Sequence, residues 1–344
     1  MDELFFYAAG CSQDSDGGIY ICRQNGNAAE AVNFAPLRGA SYLALSPDGR
    51  KLYACGSTGK DRAGFVAAFS LDQTTGIPEL LNAFPSGGSS CCHLTVSPDG
   101  ERLYAANYLS GSVTGFALND DGSIREAAEF DQHTGRGSDP ERQAGPHAHF
   151  TGFSPDGNFL LVTDLGTDTV FCHPYSRRNG IDIPGAVKNP VTPPGSGPRH
   201  LVFEPEGKSC LLITEMGNSV IRFDFDAGTL VPRSAAVSTL TPEAGSSKAS
   251  AVRISPDGNF VLAGNRGADT VAVFERRSLR MVSQTPSGGS SPRDLAFLSD
   301  RHTVAVANEF SGTVSFFDFD AKAGTLTPTA AELKLPRPLC ILAK

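Results

Sequence analysis

The sequence predicts an all-β fold: a seven-bladed β-propeller with four antiparallel strands per blade, closed by a C-terminal strand that completes the N-terminal blade. Three observations predict this fold, namely a repeat of about fifty residues, a hairpin turn at a fixed place in each repeat, and a C-terminal segment resembling the strand that the first repeat lacks. Because a propeller joins its repeats into one ring, residues 1–344 are expected to form a single domain.

The repeat is marked by a Ser-Pro-Asp-Gly turn. Copies begin at Ser46, Ser97, Ser154 and Ser255, with Glu204-Pro205-Glu206-Gly207 as a variant and Leu298-Ser299-Asp300 as a degenerate copy. Successive prolines lie 51, 57, 50 and 51 residues apart. Proline presets φ at the second position of a turn and glycine accepts a positive φ, so each copy predicts a hairpin.

Short alternating segments surround each turn in the same order. In one repeat they are Leu94-Thr95-Val96, Arg102 to Ala106 and Val113 to Leu118, and a fourth strand begins near Gly122-Ser123-Ile124. Four antiparallel strands in each repeat are typical of a propeller blade.

The two ends of the chain determine the number of blades. Six anchors account for six blades, and the N-terminal segment Phe5 to Arg23 contains a second and a third strand without a first. The segment from Pro336 to Leu342 resembles Pro198 to Phe203 and then the chain stops. We expect it to be the missing inner strand, because such closure removes open sheet edges.

Composition and charge exclude several function classes. A net charge of -8 argues against nucleic-acid binding, and no apolar run approaches the roughly 18 residues that span a membrane. The acidic start Met1-Asp2-Glu3-Leu4 lacks the positive region of a secretion signal, which favours a cytoplasmic location. The eight cysteines lack CxxC spacing, and no motif demands a metal or a cofactor, so we predict neither.

Two rings of side chains are expected at one end of the channel. The first lies six residues before each anchor proline and is read as Ser41, Cys92, His149, Arg199 and Ser250, with Arg293 and Arg337 from the degenerate copies. The second follows each second strand and is read as Asn107-Tyr108, Asp164-Leu165, Glu215-Met216, Asn265-Arg266 and Asn308-Glu309. Carboxylates converging with arginines and a histidine favour acid–base chemistry on a small anionic substrate.

Several candidates also have a structural interpretation. Arg293 and Arg337 are explained as partners of neighbouring acids, and His93 and His200 as hydrogen-bonded structural residues. His133 lies in the insert Asp131 to Arg142, where a solvated loop residue is expected. The insert accounts for the longer 57-residue step and is a candidate to cover the channel mouth.

Four segments resemble the lactonase family of propellers, which includes bacterial 6-phosphogluconolactonases of the propeller type and fungal 3-carboxy-cis,cis-muconate lactonizing enzymes. They are Gly145-Pro146-His147-Ala148-His149, Thr163 to Asp168, Pro193 to Phe203, and Gly264-Asn265-Arg266-Gly267. The similarity covers essentially the whole chain. It departs at Cys91-Cys92-His93, at the enlarged loop Ser57 to Ala63, and at the decayed turn of the sixth copy.

The resemblance implies a site in the channel mouth formed by a histidine, a glutamate and two arginines. The matching positions, expected to be catalytic, are His149, Glu215, Arg199 and Arg266. Neighbouring ring residues are expected to bind substrate: His93, Asn107, Asp164, His200, Arg293 and Glu309.

The predicted function is hydrolysis of a sugar-acid lactone, as by a 6-phosphogluconolactonase. Arg199 and Arg266 are expected to hold a phosphate or carboxylate, and either His149 or Glu215 to activate water. Two alternatives stay open, because one fold hosts many functions. They are a muconate lactonizing enzyme (a cycloisomerase) and a non-catalytic propeller that binds protein or carbohydrate.

Overall fold

The computed structural model describes residues 3–344 as seven antiparallel sheets arranged as a propeller. Met1 and Asp2, which enter the argument about a secretion signal, lie outside the described residues. Within the described range, all regular elements are strands and none is a helix that could cross a membrane. The predicted fold class is confirmed.

The strands follow blade by blade. Blade 1 contains β1 (Leu4–Gly10), β2 (Gly18–Asn25), β3 (Ala28–Pro36) and the last strand, β30 (Pro338–Ala343). Blade 2 contains β4 (Ala40–Leu45), β5 (Lys51–Thr58), β6 (Ala63–Leu71) and β7 (Pro78–Ser89). Blade 3 contains β8 (Cys91–Val96), β9 (Arg102–Asn107), β10 (Ser112–Leu118) and β11 (Ile124–Gln132). Blade 4 contains β12 (Ala148–Phe153), β13 (Phe159–Asp164), β14 (Thr169–Ser176), β15 (Gly180–Ile181) and β16 (Val187–Pro190).

The remaining blades have the same order. Blade 5 contains β17 (Pro198–Phe203), β18 (Ser209–Thr214), β19 (Ser219–Asp226), β20 (Thr229–Pro232) and β21 (Val237–Ser238). Blade 6 contains β22 (Lys248–Ile254), β23 (Phe260–Arg266), β24 (Thr270–Glu275) and β25 (Met281–Pro286). Blade 7 contains β26 (Pro292–Phe297), β27 (Thr303–Asn308), β28 (Thr313–Asp320) and β29 (Thr325–Lys334). In blades 4 and 5 the outer strand is split in two, and both pieces pair with the third strand.

The ring closes as predicted. Strand β30 pairs antiparallel with β1, so that Tyr7 lies opposite Leu342 and Ala9 lies opposite Cys340. On the other side of this sheet, Phe6 packs edge-on against Phe316 of blade 7, with ring centroids 5.8 Å apart. Both ends of the chain therefore contribute to one blade and to its packing against the last.

The Ser-Pro-Asp-Gly turns owe their shape to side-chain hydrogen bonds. In the first copy, the amide of Arg50 donates to Asp48 Oδ1 (3.0 Å) and the amide of Lys51 donates to Ser46 Oγ (2.9 Å). Gly49 takes a φ of +68°, and in the degenerate copy a non-glycine residue, Arg301, takes a φ of +69°. The turn thus survives in blade 7 although its sequence has decayed.

The hydrophobic core is divided among the blade interfaces. Between blades 2 and 3, for example, Tyr53, Val66, Leu94, Leu103 and Phe116 are buried together. Full burial of such a side chain stabilises the fold by about 1.5 to 3 kcal/mol. The hydrophobic core therefore lies in the interfaces between neighbouring blades.

A β-bulge interrupts the pairing of inner strands where each approaches the channel mouth. Ser41, Cys92, His149, Arg199 and Arg293 each lie at the register shift between the first and second strands of their blades. In blade 6 the shift spans Ser250 and Ala251. Bulges beside functional sites re-aim a side chain, and here the bulged positions match the predicted first ring in six blades.

The first-ring residue of blade 1 was wrongly predicted. Pro338, not Pro336, lies opposite Gly10, and the bulge falls on Leu339 rather than on Arg337. The last copy has no Ser-Pro-Asp-Gly turn after it from which to count, so the alignment of the two proline-containing segments was displaced by two residues.

Candidate functional site

Each second-ring hairpin contributes two consecutive residues with different surroundings. In five blades, the residue of the second strand that lies opposite the first residue of the third strand is fully buried; these residues are Asn107, Asp164, Thr214, Asn265 and Asn308. The next residue lines the channel mouth in four of these blades, as Tyr108, Glu215, Arg266 and Glu309. Glu215 therefore corresponds to Tyr108 and Glu309, and its alignment with Asn107 and Asp164 was wrong by one position.

Asn107 and Asp164 hold their hairpins and lie outside the lining of the channel mouth. The Asn107 amide donates to the Ser86 carbonyl (3.2 Å) and to Thr114 Oγ1 (3.3 Å). Asp164 Oδ1 accepts hydrogen bonds from the backbone amides of His147 (2.8 Å) and Gly166 (2.9 Å). Their polar atoms are occupied by the protein itself, so the geometry gives these two residues a structural role.

A cavity of about 530 Å³ opens at the channel mouth, and we call it the mouth cavity. Its charged lining residues are Arg62, Arg142, Lys248, Arg266, Arg293, Arg337, Glu215 and Glu309. Six cationic groups and two carboxylates give this lining a formal charge of +4, in a protein whose net charge is -8. The channel mouth is thus cationic, and two of its cations, Arg62 and Lys248, form no ion pair within residues 3–344.

Glu215 is the centre of the ionic network. Arg142 Nη2 lies 2.7 Å from Oε1, while Arg266 Nη2 and Arg199 Nε lie 2.6 Å and 3.2 Å from Oε2. Burial by itself would raise the pKa of Glu215, but the charges of Arg266 and Arg199 hold that pKa well below its usual range. Glu215 is therefore an ionised carboxylate with both oxygens engaged.

Arg199 lies beneath the mouth cavity and is 2% exposed. Its Nη1 donates to the Ser250 carbonyl (2.7 Å) and contacts His200 Nε2 (3.2 Å). Burial, together with the charges of Arg266 and Arg293, lowers the pKa of Arg199 to about 9. The structure brings Arg199 to Glu215, but it borders only a small void of about 20 Å³ deeper in the channel.

His149 borders the mouth cavity. Its Nδ1 is buried without a hydrogen-bond partner, and its ring meets those of Tyr108 and His200 edge-on at centroid distances of 5.5 Å and 5.4 Å. Burial and the charge of Arg199 hold the pKa of His149 well below its usual value. His149 is therefore a neutral imidazole, and Nε2 is the nitrogen left to face the cavity.

His93 and His200 lie deeper in the channel and do not line the mouth cavity. His93 Nδ1 accepts a hydrogen bond from the Thr151 amide (3.2 Å), and its ring packs against Tyr42 with centroids 4.0 Å apart. Burial holds the pKa of both histidines well below the usual value. These contacts favour the structural interpretation of His93, while Nε2 of His93 and Nδ1 of His200 are buried without a hydrogen-bond partner.

Arg293 and Glu309 do reach the mouth cavity, where they form a second ionic group. Glu309 lies 2.6 Å from Arg337 and 3.5 Å from Arg293. Burial would raise the pKa of Glu309, but the charges of Arg293 and Arg337 lower it. This group places a paired arginine on the side of the cavity formed by blades 7 and 1.

Sequence reasoning missed Arg62 and Arg142 as site residues. Both come from loops that depart from the repeat, namely the enlarged loop Ser57 to Ala63 and the insert that ends at Arg142. Lys248 and Tyr108 also line the cavity, and neither was predicted to bind substrate or to be catalytic. One feature of the sequence could have identified them: both insertions fall in loops that lead to the same end of the channel, so their charged residues were candidates to line its mouth.

The expectation for His133 was wrong. Its side chain is fully buried, and its Nδ1 donates to Asp164 Oδ2 at 2.6 Å. The ring also stacks on Phe171, with centroids 3.9 Å apart. The insert thus begins inside the protein, against blade 4, rather than in solvent.

Comparisons with known proteins agree with this architecture. A family model described as "Lactonase, 7-bladed beta-propeller" matches residues 5–343. The 6-phosphogluconolactonase of Bacillus subtilis (strain 168) is 32% identical over 350 residues, which cover 99% of this chain and 98% of that protein. A 6-phosphogluconolactonase of Formosa agariphila is 29% identical over 92% of each chain. The solved structure of a periplasmic gluconolactonase from Pseudomonas aeruginosa is 27% identical, with a TM-score of 0.90 over 99% of this chain and 98% of that one.

Proposed function

The chain belongs to the lactonase family of seven-bladed β-propellers, and from that premise we propose that its mouth cavity hydrolyses the lactone ring of an anionic sugar acid. The observation that carries this proposal is the cationic lining beside a neutral histidine. A cavity of about 530 Å³ suits a substrate of sugar-phosphate size.

We assign the general base to His149 rather than to Glu215. A useful base needs a free lone pair and a pKa near the working pH. Both oxygens of Glu215 are engaged by guanidinium groups and its pKa is held low, so it is a weak base. His149 is neutral with Nε2 free to accept a proton; burial and the charge of Arg199 depress its pKa, and an anionic substrate would offset the second of these causes.

The reaction then proceeds by ordinary ester hydrolysis. A water molecule attacks the lactone carbonyl carbon while His149 takes its proton. The tetrahedral oxyanion collapses, the ring C–O bond breaks, and the leaving alkoxide takes the proton back from the imidazolium. The product is the open-chain hydroxy acid, which loses its second water-derived proton to solvent and leaves as the carboxylate.

The cations of the lining are given two tasks. Arg266 and Arg142, held in place by Glu215, would stabilise the oxyanion, a contribution worth about 10² to 10³ in rate for one good donor. Arg62 and Lys248, which have no acidic partner within the described residues, would bind the remote anionic group of the substrate. Arg199 is a positioning residue, because it contacts Glu215 from beneath the cavity.

The phosphorylated substrate is the finer part of the proposal. Two relatives are named 6-phosphogluconolactonase, while one solved relative is named a gluconolactonase. The unpaired Arg62 and Lys248 favour the phosphorylated lactone, because a neutral sugar lactone has no anionic group that could pair with them. A place in carbohydrate metabolism follows from that substrate class.

A cytoplasmic location is also part of this proposal. All eight cysteines are free thiols, six of them buried, as expected for a protein of a reducing compartment. Fractionation of cells that produce the protein at natural levels tests the location directly.

The activity is tested by following acid release from 6-phosphogluconolactone and from glucono-δ-lactone, with the spontaneous rate subtracted. We expect faster opening of both lactones and a lower KM for the phosphorylated one. His149→Gln should lower kcat by about 10² to 10⁴, whereas the exposed His302→Gln serves as a matched control with unchanged activity. No acceleration of either lactone by the purified protein would contradict the proposal, and turnover of a cis,cis-muconate instead would favour the cycloisomerase alternative.

A further inference from the structure

A second cluster of ligating side chains lies away from the mouth cavity, between blades 3 and 4. It consists of Asp131 near the end of β11, His133 just after that strand, and His173 on β14. Asp131 Oδ2 lies 3.5 Å from Nε2 of each histidine, and the candidate donor atoms all lie within 4.8 Å of one another. None of these residues takes part in the proposed lactonase site.

Three of the four histidine nitrogens of this cluster lack hydrogen-bond partners within the described residues. They are His133 Nε2 and both ring nitrogens of His173, on side chains that are 0% exposed. Buried polar atoms are nearly always satisfied, and leaving one unsatisfied costs about 1 to 3 kcal/mol. Two of these atoms, Nε2 of His133 and Nε2 of His173, lie 3.5 Å from the same carboxylate oxygen, an arrangement that needs a physical reason.

The surrounding groups hold His133 as a metal ligand is commonly held. Its Nδ1 donates to Asp164 Oδ2 at 2.6 Å, which leaves a lone pair on Nε2 pointing to Asp131. Asp164 is itself fixed by the amides of His147, Gly166 and Thr167 at 2.8 to 3.0 Å. A carboxylate behind a histidine is the usual way in which proteins orient a metal-binding imidazole.

We propose that Asp131, His133 and His173 bind a divalent transition-metal ion, with Zn²⁺ as the best fit. Ligand atoms about 2.0 to 2.1 Å from a tetrahedral ion lie roughly 3.4 Å apart, which agrees with the two 3.5 Å separations. Two imidazoles and one carboxylate are a donor set that suits zinc. A cavity of about 220 Å³, lined by Asp131 and His133, leaves room for a water molecule as the fourth ligand.

The role of this ion is structural. It joins the outer strand of blade 3 to the third strand of blade 4, and it fixes the start of the insert whose last residue, Arg142, reaches Glu215. Lys188 lines the same 220 Å³ cavity, with its Nζ 5.5 Å from the centre of the Phe171 ring, and its positive charge repels a bound cation. We therefore expect weaker binding than in a thiolate zinc site. The competing occupant is a proton on His133, held between Asp131 and Asp164.

The test is titration of the full-length, chelator-treated protein with Zn²⁺ by calorimetry, with Co²⁺ absorption as a second readout. We expect one ion per chain and the visible spectrum of tetrahedral Co²⁺. His173→Gln and Asp131→Asn should each weaken Zn²⁺ binding at least tenfold, and Asp164→Asn by about 10- to 100-fold with unchanged stoichiometry. His302→Gln, which alters an exposed histidine 3.2 Å from Asp300, is the control and should bind as the unmodified chain does.

Two results would overturn the proposal. If the unmodified chain bound no Zn²⁺ and gave no tetrahedral Co²⁺ spectrum, the cluster would be the proton-bridged group alone. If His173→Gln, shown by circular dichroism to be folded, bound Zn²⁺ as tightly as the unmodified chain, the ion would be held elsewhere. Neither readout depends on lactonase activity, so failure of the metal site is distinguishable from failure of the proposed function.

Discussion

Replacing Glu215 by glutamine should destabilise the protein far more than removing one of its arginine partners. Glu215→Gln keeps the shape of the side chain but leaves Arg199 and Arg266, 2% and 12% exposed at their side chains, without their counter-ion. Removal of one partner from a buried ion pair costs about 3 to 5 kcal/mol. Arg142 is 31% exposed, so Arg142→Gln removes a pair worth only about 0 to 1 kcal/mol.

The same substitution should change the dependence of stability on pH. The pKa of Glu215 is depressed in the folded state, so its stabilising effect is fully present above the unfolded value near 4.5. As the pH falls below that value, the Glu215 carboxylate binds a proton in the unfolded chain but stays ionised in the folded chain, so protonation favours unfolding. The advantage of the unmodified protein over Glu215→Gln should therefore shrink by up to about 1.4 kcal/mol per pH unit.

Urea denaturation followed by far-ultraviolet circular dichroism measures both effects. Tryptophan fluorescence is not an option, because the sequence contains no tryptophan. The unmodified chain, Glu215→Gln and Arg142→Gln would be compared at pH 7 and at several values below 5. Equal losses for the two variants at pH 7, or a difference that stays constant down to pH 3, would refute the account of Glu215 as the counter-ion of two buried arginines.

Three further predictions follow from single features. Lys248→Ala should raise the KM for 6-phosphogluconolactone several-fold at low salt and less at high salt, while Lys208→Ala, on an exposed turn, should change neither. Gly49→Ala should lower the free energy of unfolding by about 1 to 2 kcal/mol, because φ is +68° there and an added Cβ meets no atom; Gly245→Ala, equally unhindered and without a positive φ, should cost less. Deletion of β30 should prevent folding, measured as loss of soluble protein, since it exposes the edge of β1.

The fold and the first ring could be predicted because the spacing between the bulged position and the turn proline is the same in every complete repeat. Each proline lies a fixed six residues after the bulged position, so counting back from Pro155 or Pro98 finds His149 or Cys92 without knowledge of the structure. This spacing could not be applied after β29, because no turn proline follows Arg337 in the sequence. The bulge therefore lies on Leu339 and not on the predicted Arg337.

Other parts of the site could not be predicted from the repeat. Arg142 reaches Glu215 from the end of an insertion, and the path of an insertion is set by its own packing. His133 and His173 come together from different blades, forty residues apart in sequence, so no spacing motif joins them. The displacement of Glu215 by one position arose because Thr214, a small polar residue, fills the place of an amide or aspartate in other blades.

Because of the bulges in the inner strands, the side chains that line the channel are not the ones that take part in regular strand pairing. A bulged residue has no partner across the ladder, so its identity is not constrained by pairing. The residues found there, which are Leu339, Ser41, Cys92, His149, Arg199, Ser250 and Arg293, range from apolar to cationic. Side-chain exchange at these seven positions therefore alters the lining of the channel, while the strand pairing of every blade stays as it is.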